Sequence, residues 1–369
     1  MAFAKSTHIK PIQVTFQVLQ IPTPLMANNQ AFLVYEIYLT NLGSYPVKLN
    51  SLEIISDSNE EKPLFIFSAD KLRQIIKGFS GLNSPKAMLL NIMPGEQKIL
   101  FMWLSFASAT DIPTKLFHVL YFQTLNKEYQ LIPIKSAPLI LKKSQPIIIA
   151  SPVKGDMWVA GNAPSNTSPH RRAGIVLDGH EYFSQRYAID FVQIGPDGKT
   201  YHGDMLNNVN YYCYGKPVLA VANGKVLSIT DNIPENMPNS GKYVVPINLQ
   251  TAGGNEVILD LGNGLYALYG HLIPGTIQVK AGDVIKKGDV LGKIGNSGNS
   301  TEAHLHFQIM DKPSTLAANG VPYAFDGYEL YPSEVTGIDA TYKIKLLSKK
   351  TRKFINQLML EDAVVKFKG

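Results

Sequence analysis

Apolar and polar residues alternate with period two through Ile12-Gln-Val-Thr-Phe-Gln-Val, the pattern of a half-buried β-strand. The runs Ala31-Phe-Leu-Val-Tyr-Glu-Ile-Tyr-Leu, Val47-Lys-Leu-Asn-Ser-Leu-Glu-Ile-Ile, Gln97-Lys-Ile-Leu-Phe-Met-Trp-Leu and Leu116-Phe-His-Val-Leu-Tyr-Phe continue it, with a turn at Asn41-Leu-Gly. Strands at this spacing predict an N-terminal β-sandwich of immunoglobulin-like type over residues 1–147. No cluster of catalytic residue types lies there, so packing and binding are its expected roles. A Pro- and Ser-bearing joint, Lys143-Ser-Gln-Pro followed by Ser151-Pro-Val-Lys-Gly, places the domain boundary near residue 147. Residues 148–335 are again β-rich, now with Gly-containing turns. Residues 336–369 read as a C-terminal extension, in which Lys349-Lys-Thr-Arg-Lys followed by Phe354-Ile-Asn-Gln-Leu-Met-Leu predicts a short helix. The fold class is all-β.

Composition narrows the classes. Hydrophobic residues are 45% and charged residues 17% of 369, which supplies real cores and excludes a disordered chain. A net charge of +6 favours an anionic surface but falls short of a nucleic-acid tail, so no nucleic-acid partner is expected. The single cysteine, Cys213, excludes an internal disulfide framework and a cysteine-cluster metal site. No apolar run approaches the roughly 18 residues of a transmembrane segment. The first residues, Met1-Ala-Phe-Ala-Lys-Ser-Thr, lack the apolar stretch of a signal peptide.

The strongest local signal is Gly295-Asn-Ser-Gly-Asn-Ser-Thr-Glu-Ala-His-Leu-His-Phe-Gln-Ile. On a strand, His304 and His306 point to one face, while Leu305 and Phe307 turn to the other and bury. Metal binding, acid–base work and a merely polar exposed face all fit that pair. His271 follows a glycine at a strand end in Leu265-Tyr-Ala-Leu-Tyr-Gly-His-Leu. Asp190 interrupts the apolar run Gln185-Arg-Tyr-Ala-Ile-Asp-Phe. A buried aspartate needs a cation, a metal or several N–H donors, and an Arg186–Asp190 ion pair is the plainest partner. His180-Glu-Tyr-Phe-Ser begins like the helical zinc motif H-E-x-x-H, but Ser184 stands at its last position and Asp178-Gly179 before it signals a hairpin. His8, His118 and His202 receive no role.

Joined together, Gly215-Lys-Pro-Val-Leu-Ala-Val-Ala-Asn-Gly-Lys-Val, Tyr269-Gly-His-Leu, Gly288-Asp-Val-Leu-Gly-Lys-Ile-Gly-Asn-Ser-Gly-Asn-Ser-Thr and Ala303-His-Leu-His-Phe closely resemble the lysostaphin/LytM-type zinc metallopeptidases, peptidase family M23. The resemblance covers about residues 150–320. It implies antiparallel sheets around a groove, a Zn2+ held by two histidines and one aspartate, and hydrolysis of peptide cross-links in bacterial cell walls. It implies that His306 and Asp190 are zinc ligands and that His304 and His271 are catalytic. It also implies a periplasmic or secreted protein with peptidoglycan stem or cross-link peptides as partners.

At one position the chain departs from the family pattern. The histidine expected four residues before Asp190 is Arg186, which cannot deprotonate or ligate zinc. Asp190 and His306 alone leave the site one ligand short of the usual three. If Asp178-Gly179 is a two-residue hairpin turn, residues whose numbers sum to 357 face each other. His170, in Ser168-Pro-His-Arg-Arg, then lies opposite Tyr187, beside Arg186. His170 is therefore expected as the third ligand, with a bulge near Pro169 or a longer turn through Gly179-His180 absorbing the one-residue mismatch. Arg186 is expected to hold the Asp190 carboxylate from behind.

The alternative function is a metal-free degenerate member of the family, acting as a cell-wall binding module or hydrolase activator. Arg186 favours that alternative. The retention of His271, His304, His306 and Asp190 favours the enzyme. A lipoyl-like swinging-arm domain, suggested by Ala281-Gly-Asp-Val-Ile-Lys-Lys-Gly-Asp-Val-Leu-Gly, leaves the histidines unexplained.

Overall fold

The computed structural model of the chain describes residues 12–59, 61–78, 88–125, 131–141, 144–336 and 343–368. His8 and Lys143 lie outside the described residues. Two units divide the chain: Met1–Pro24 with Ala31–Ser144, and Leu25–Gln30 with Gln145–Gly369. Residues 25–30 join the second unit although they precede the predicted boundary. They are held there by Leu358 N–H donating to the Met26 carbonyl at 2.8 Å and by the Asn29–Gln357 side-chain pair at 2.7 Å.

The first unit is built from the alternating runs. Its longest strands, Gln30–Asn41, Val47–Ser56, Gln97–Phe106 and Lys115–Thr124, cover the four apolar segments named above. They sort into two antiparallel sheets. One has the order Val14–Gln17, Gln30–Asn41, Gln97–Phe106, Ile76–Gly78. The other has the order Ile132–Lys135, Lys115–Thr124, Val47–Ser56, Phe65–Phe67. Contacts cross from sheet to sheet: Phe65 meets Phe106 edge-on at 5.4 Å, and Tyr35 Oη and His118 Nε2 share a 2.8 Å hydrogen bond. Both members of that polar pair are buried, and burial pushes the His118 imidazole down to about 4.

The second unit is organised by a ten-stranded antiparallel sheet. Its order is Val284–Ile285, Gly224–Thr230, Asn255–Gly262, Leu265–Leu272, Leu305–Met310, Ile189–Gln193, Gly155–Gly161, Val364–Phe367, Tyr328–Tyr331, Arg352–Phe354. The central strand Leu305–Met310 is buried along its whole length, so the face carrying His306 is covered, not solvent-exposed. Leu305 and Phe307 are fully buried on the opposite face.

Two expectations about the C-terminal region require correction. Residues 354–360 form no helix: Phe354 ends a strand paired with Tyr328, and Asn356 adopts a left-handed backbone (φ 54°) that stops any helical turn. Among the described residues of 336–369, the last strand is not apart from the sheet. Val364–Phe367, with its β-branched pair, inserts between Gly155–Gly161 and Tyr328–Tyr331.

Candidate active site

Three neighbouring strands bring the site together. Asp190 on Ile189–Gln193 is directly paired with His306, and His306 with Gly270 on the other side. Gly270 leaves room there: a Cβ would stand 3.5 Å from that of His306 and 3.1 Å from the Gly253 carbonyl oxygen. The next residue, His271, has a left-handed backbone (φ 64°) at an irregularity between Asn255 and Val257 on the paired strand. Such a conformation is costly for a residue with a Cβ and is concentrated at functional sites. Its imidazole Nδ1 is fixed at 2.8 Å from the Ser297 carbonyl oxygen.

Asp190 is the centre of the cluster. Its Oδ1 lies 2.8 Å from His306 Nδ1 and 3.4 Å from His304 Nε2; its Oδ2 lies 3.3 Å from His170 Nε2. Asn162 Nδ2 donates to Oδ2 at 2.8 Å. Ring centroids are 4.9 Å apart for His170–His306, 4.7 Å for His271–His304 and 5.7 Å for His271–His306. All four imidazoles border one cavity of about 1060 Å³, whose walls include Tyr201, Asn239, Tyr243 and Leu316.

The electrostatics follow from burial and crowding. Burial alone would raise the Asp190 carboxyl, but His170 and His304 hold it well below the usual carboxylate range. Burial pushes His170 down to about 4, against the pull of Asp190. Burial and the neighbouring imidazoles hold His271 well below its ordinary value. His304 goes the other way: burial opposes its charge, yet Asp190 raises it.

Donor chemistry at His306 tests whether a metal fits. Gln308 Nε2 donates to the Thr315 carbonyl at 3.3 Å, which turns Gln308 Oε1 toward His306 Nε2 at 3.0 Å. Nε2 is therefore the N–H that donates to Gln308, and Nδ1 faces Asp190 Oδ1. A nitrogen and a carboxylate oxygen 2.8 Å apart need a proton or a metal cation between them. His170 Nδ1 is buried and makes no hydrogen bond, while Nε2 aims at Asp190. His170, Asp190 and His306 each offer a ligand atom within 4.8 Å of the others, as do His271, His304 and His306. The residues present fit a divalent metal with N and O ligands.

The hairpin that placed His170 forms as counted. Leu177 pairs with His180, Val176 with Glu181 and Ile175 with Tyr182, around Asp178 and Gly179 at φ 50° and 76°. The pairing stops at Ile175, however. His170 does not lie across a strand from Tyr187; it opens a 3₁₀ turn, His170–Arg172, closed by Arg172 N–H to the Pro169 carbonyl at 3.1 Å. Arg172 Nε anchors that turn on the Asn166 carbonyl at 2.8 Å. The turn delivers the imidazole to Asp190 without a bulge.

Arg186 is elsewhere than expected. The strand begins only at Ile189, and residues 184–187 form a turn, with Arg186 N–H bonded to the Phe183 carbonyl. Side-chain alternation cannot be carried back from Asp190 through that turn. Arg186 Nη1 donates to the Gly320 carbonyl at 3.3 Å, and its guanidinium lies 5.6 Å from the centroid of the Phe183 ring. The donor behind Asp190 is Asn162, which the sequence reading missed. It reaches the site because Gly161 pairs with Asp190, a register that no local pattern announces. Gln308 had a signal: it continues the i, i+2 face of His304 and His306.

Residues 208–319 match the description of peptidase family M23. That span holds His271, His304 and His306 and begins after His170 and Asp190. Over 130 residues the chain is 32% identical to the glycyl-glycine endopeptidase ALE-1 of Staphylococcus capitis, covering 35% of this chain and 29% of that protein. Over 118 residues it is 32% identical to lysostaphin of Staphylococcus simulans, covering 31% of this chain and 20% of that protein. The chain thus spans less than a third of the length of these relatives. The lysostaphin catalytic domain from Staphylococcus simulans is a structural neighbour at 23% identity, 44% of this chain and 84% of that one, with a TM-score of 0.24. The matched stretch, residues 208–319, carries Tyr269-Gly-His-Leu and Ala303-His-Leu-His-Phe and is similar to peptidase family M23.

Proposed function

We propose that the second unit is a zinc-dependent endopeptidase that cuts peptide cross-links of bacterial peptidoglycan, with His170, Asp190 and His306 as the metal ligands. The observation that carries this reading is the convergence of His170, Asp190 and His306 beside His271 and His304 in one cavity. Bound zinc would supply a Lewis acid for the scissile carbonyl and a water acidified to near neutrality.

His271 has Nδ1 committed to the Ser297 carbonyl, so its Nε2 is free to accept the proton of the attacking water. His304 has Nδ1 committed to the Glu302 carbonyl at 2.9 Å. Its Nε2–H donates to the oxygen on which negative charge develops, and the proton that His271 took from the water then passes to the leaving amine. Such a protein acts outside the cytoplasm, in the periplasm or after secretion. The metal-free alternative is favoured only by the loss of a histidine at position 186, and His170 reaches the same carboxylate from another segment.

The test combines metal analysis with turnover. Purified chain should retain about one zinc after brief dialysis and release new amino groups from purified peptidoglycan. Chelation should abolish release, and zinc should restore it. A chain that neither retains nor takes up zinc, and releases nothing, would leave the binding-module alternative.

A further inference from the structure

We propose that Thr315 and Glu256 are positioning residues that fix the orientation of the His306 imidazole, and with it how tightly the metal is held. The inference rests on the reading of His306 as a ligand. Hydrogen bonds in series carry it. Thr315 Oγ1 lies 3.0 Å from each carboxylate oxygen of Glu256. The Thr315 carbonyl accepts from Gln308 Nε2 at 3.3 Å, and Gln308 Oε1 accepts from His306 Nε2 at 3.0 Å. A flipped Gln308 amide would set an N–H against an N–H, which cannot bond. The Thr315 carbonyl therefore decides which end of Gln308 meets the imidazole. Gln308 is 1% exposed, so bulk water does not replace a lost partner.

Thr315 lies on the loop that follows Leu305–Met310. The ends of that loop are closed by Asn319 N–H donating to Asp311 Oδ1 at 2.7 Å and by Asp311 N–H donating to the Asn319 carbonyl at 3.1 Å. Residues 312–318 between them belong to no strand or helix. The Thr315 hydroxyl ties this stretch to Glu256 on the strand Asn255–Gly262. Glu256 sits at the irregularity between Asn255 and Val257, opposite the left-handed His271. Its carboxylate packs against Gly253, where a Cβ would collide with Glu256 Oε2 and stand 3.4 Å from Thr315 Cγ2. The Gly253 carbonyl in turn accepts from His271 N–H at 2.8 Å. One carboxylate thus braces His306 through Thr315 and Gln308, and abuts the segment that holds the His271 backbone.

Packing alone does not account for an acid at this position. Among the described residues the Glu256 carboxylate hydrogen-bonds only to Thr315 and meets no cation. A carboxyl group largely withdrawn from water with one hydroxyl as partner is less favourable than an apolar side chain of the same volume. Orienting a metal-binding imidazole offsets that cost, because partners outside the ligand set change metal affinity by about 10–100-fold.

The experiment compares Thr315→Val, which removes the hydroxyl, with Thr315→Ser, which keeps it. Gly253→Ala is added because it displaces the Glu256 carboxylate while Glu256, Thr315 and Gln308 all remain. Zinc affinity of the full chain, read by chelator competition, should fall about tenfold in Thr315→Val and Gly253→Ala and stay at the parent value in Thr315→Ser. A second readout needs no metal. In metal-free chain carrying isotope-labelled histidine, the His306 Nε2–H resonance should exchange with solvent faster in the two impaired variants than in the parent or Thr315→Ser. Denaturant unfolding verifies that each variant is folded. Equal losses in Thr315→Ser and Thr315→Val would assign the effect to packing and overturn the proposal. Parent-like affinity and exchange in Thr315→Val and Gly253→Ala would overturn it too. A parent that takes up no zinc would overturn the metal reading alone; faster exchange in the two variants would then still support the bracing of His306, and unchanged exchange would overturn it.

Discussion

His170 Nε2 and Asp190 Oδ2 stand 3.3 Å apart although twenty positions separate them and no strand pairing joins them. The 3₁₀ turn at His170–Arg172 makes the contact, and the metal reading depends on it. His170→Ala should fold normally, because the ring is at the cavity edge. It should lose more zinc affinity than the 10–100-fold typical of an outer-shell partner, and peptidoglycan turnover with it. A variant that titrates zinc like the parent in a chelator competition would remove His170 from the ligand set.

His271→Ala and His304→Ala should keep zinc and lose about 10²–10⁴ in turnover, the usual cost of a positioned acid or base. Zinc content and release of amino groups, measured on the same samples, separate the two effects. Parent-like turnover in both variants would exclude them from proton handling.

Gln308 fixes which ring nitrogen of His306 carries the proton. Gln308→Ala should weaken zinc binding by about 10–100-fold with His306 still in place. Gln308→Glu keeps an acceptor toward Nε2 and should lose less. The comparison is read by chelator competition; if the alanine variant binds no worse than the glutamate variant, Gln308 does not orient the ligand.

Arg186→Met should act on stability and not on the metal, since the guanidinium bonds the Gly320 carbonyl and packs over Phe183. A loss of about 1–3 kcal/mol is expected for a buried carbonyl left without its donor. Unfolding by denaturant and zinc titration should therefore diverge; a parallel loss of zinc affinity would return Arg186 to the Asp190 carboxylate.

The first unit should soften in acid for a reason unconnected with zinc. His118 titrates near 4 when folded and at about 6.5 when unfolded. The unfolded chain thus binds the extra proton between those values. The stability His118 contributes is present above pH 6.5 and declines by roughly 3 kcal/mol as pH falls toward 4. His118→Gln should flatten that part of the profile in thermal unfolding followed from pH 7 to pH 4. An unchanged slope would show that other groups set it.

Much of the site is legible in the sequence, and what is not has physical causes. The i, i+2 rule put His304 and His306 together, and Asp178-Gly179 set a hairpin whose partners sum to 357 as counted. Strand rules then misled at both ends of that hairpin: they assigned His170 to a ladder that stops at Ile175 and gave Arg186 a face inside a turn. Period-two arguments hold only while the ladder lasts. Asn162 was invisible because its position depends on which strands become neighbours, a tertiary choice. The helix expected at 354–360 yielded to sheet pairing and to the left-handed Asn356.

The strand Val364–Phe367 has a consequence for the timing of assembly. It is the neighbour of Gly155–Gly161, which in turn flanks the strand bearing Asp190. On a ribosome adding about 5–20 residues per second, Asp190 emerges roughly ten seconds or more before that neighbour is made. Closing a loop of such length is slow, and edges left unpaired meanwhile invite wrong partners. The sheet that carries Asp190 and His306 therefore cannot be finished until Val364–Phe367 has been made, so synthesis itself delays the assembly of the site.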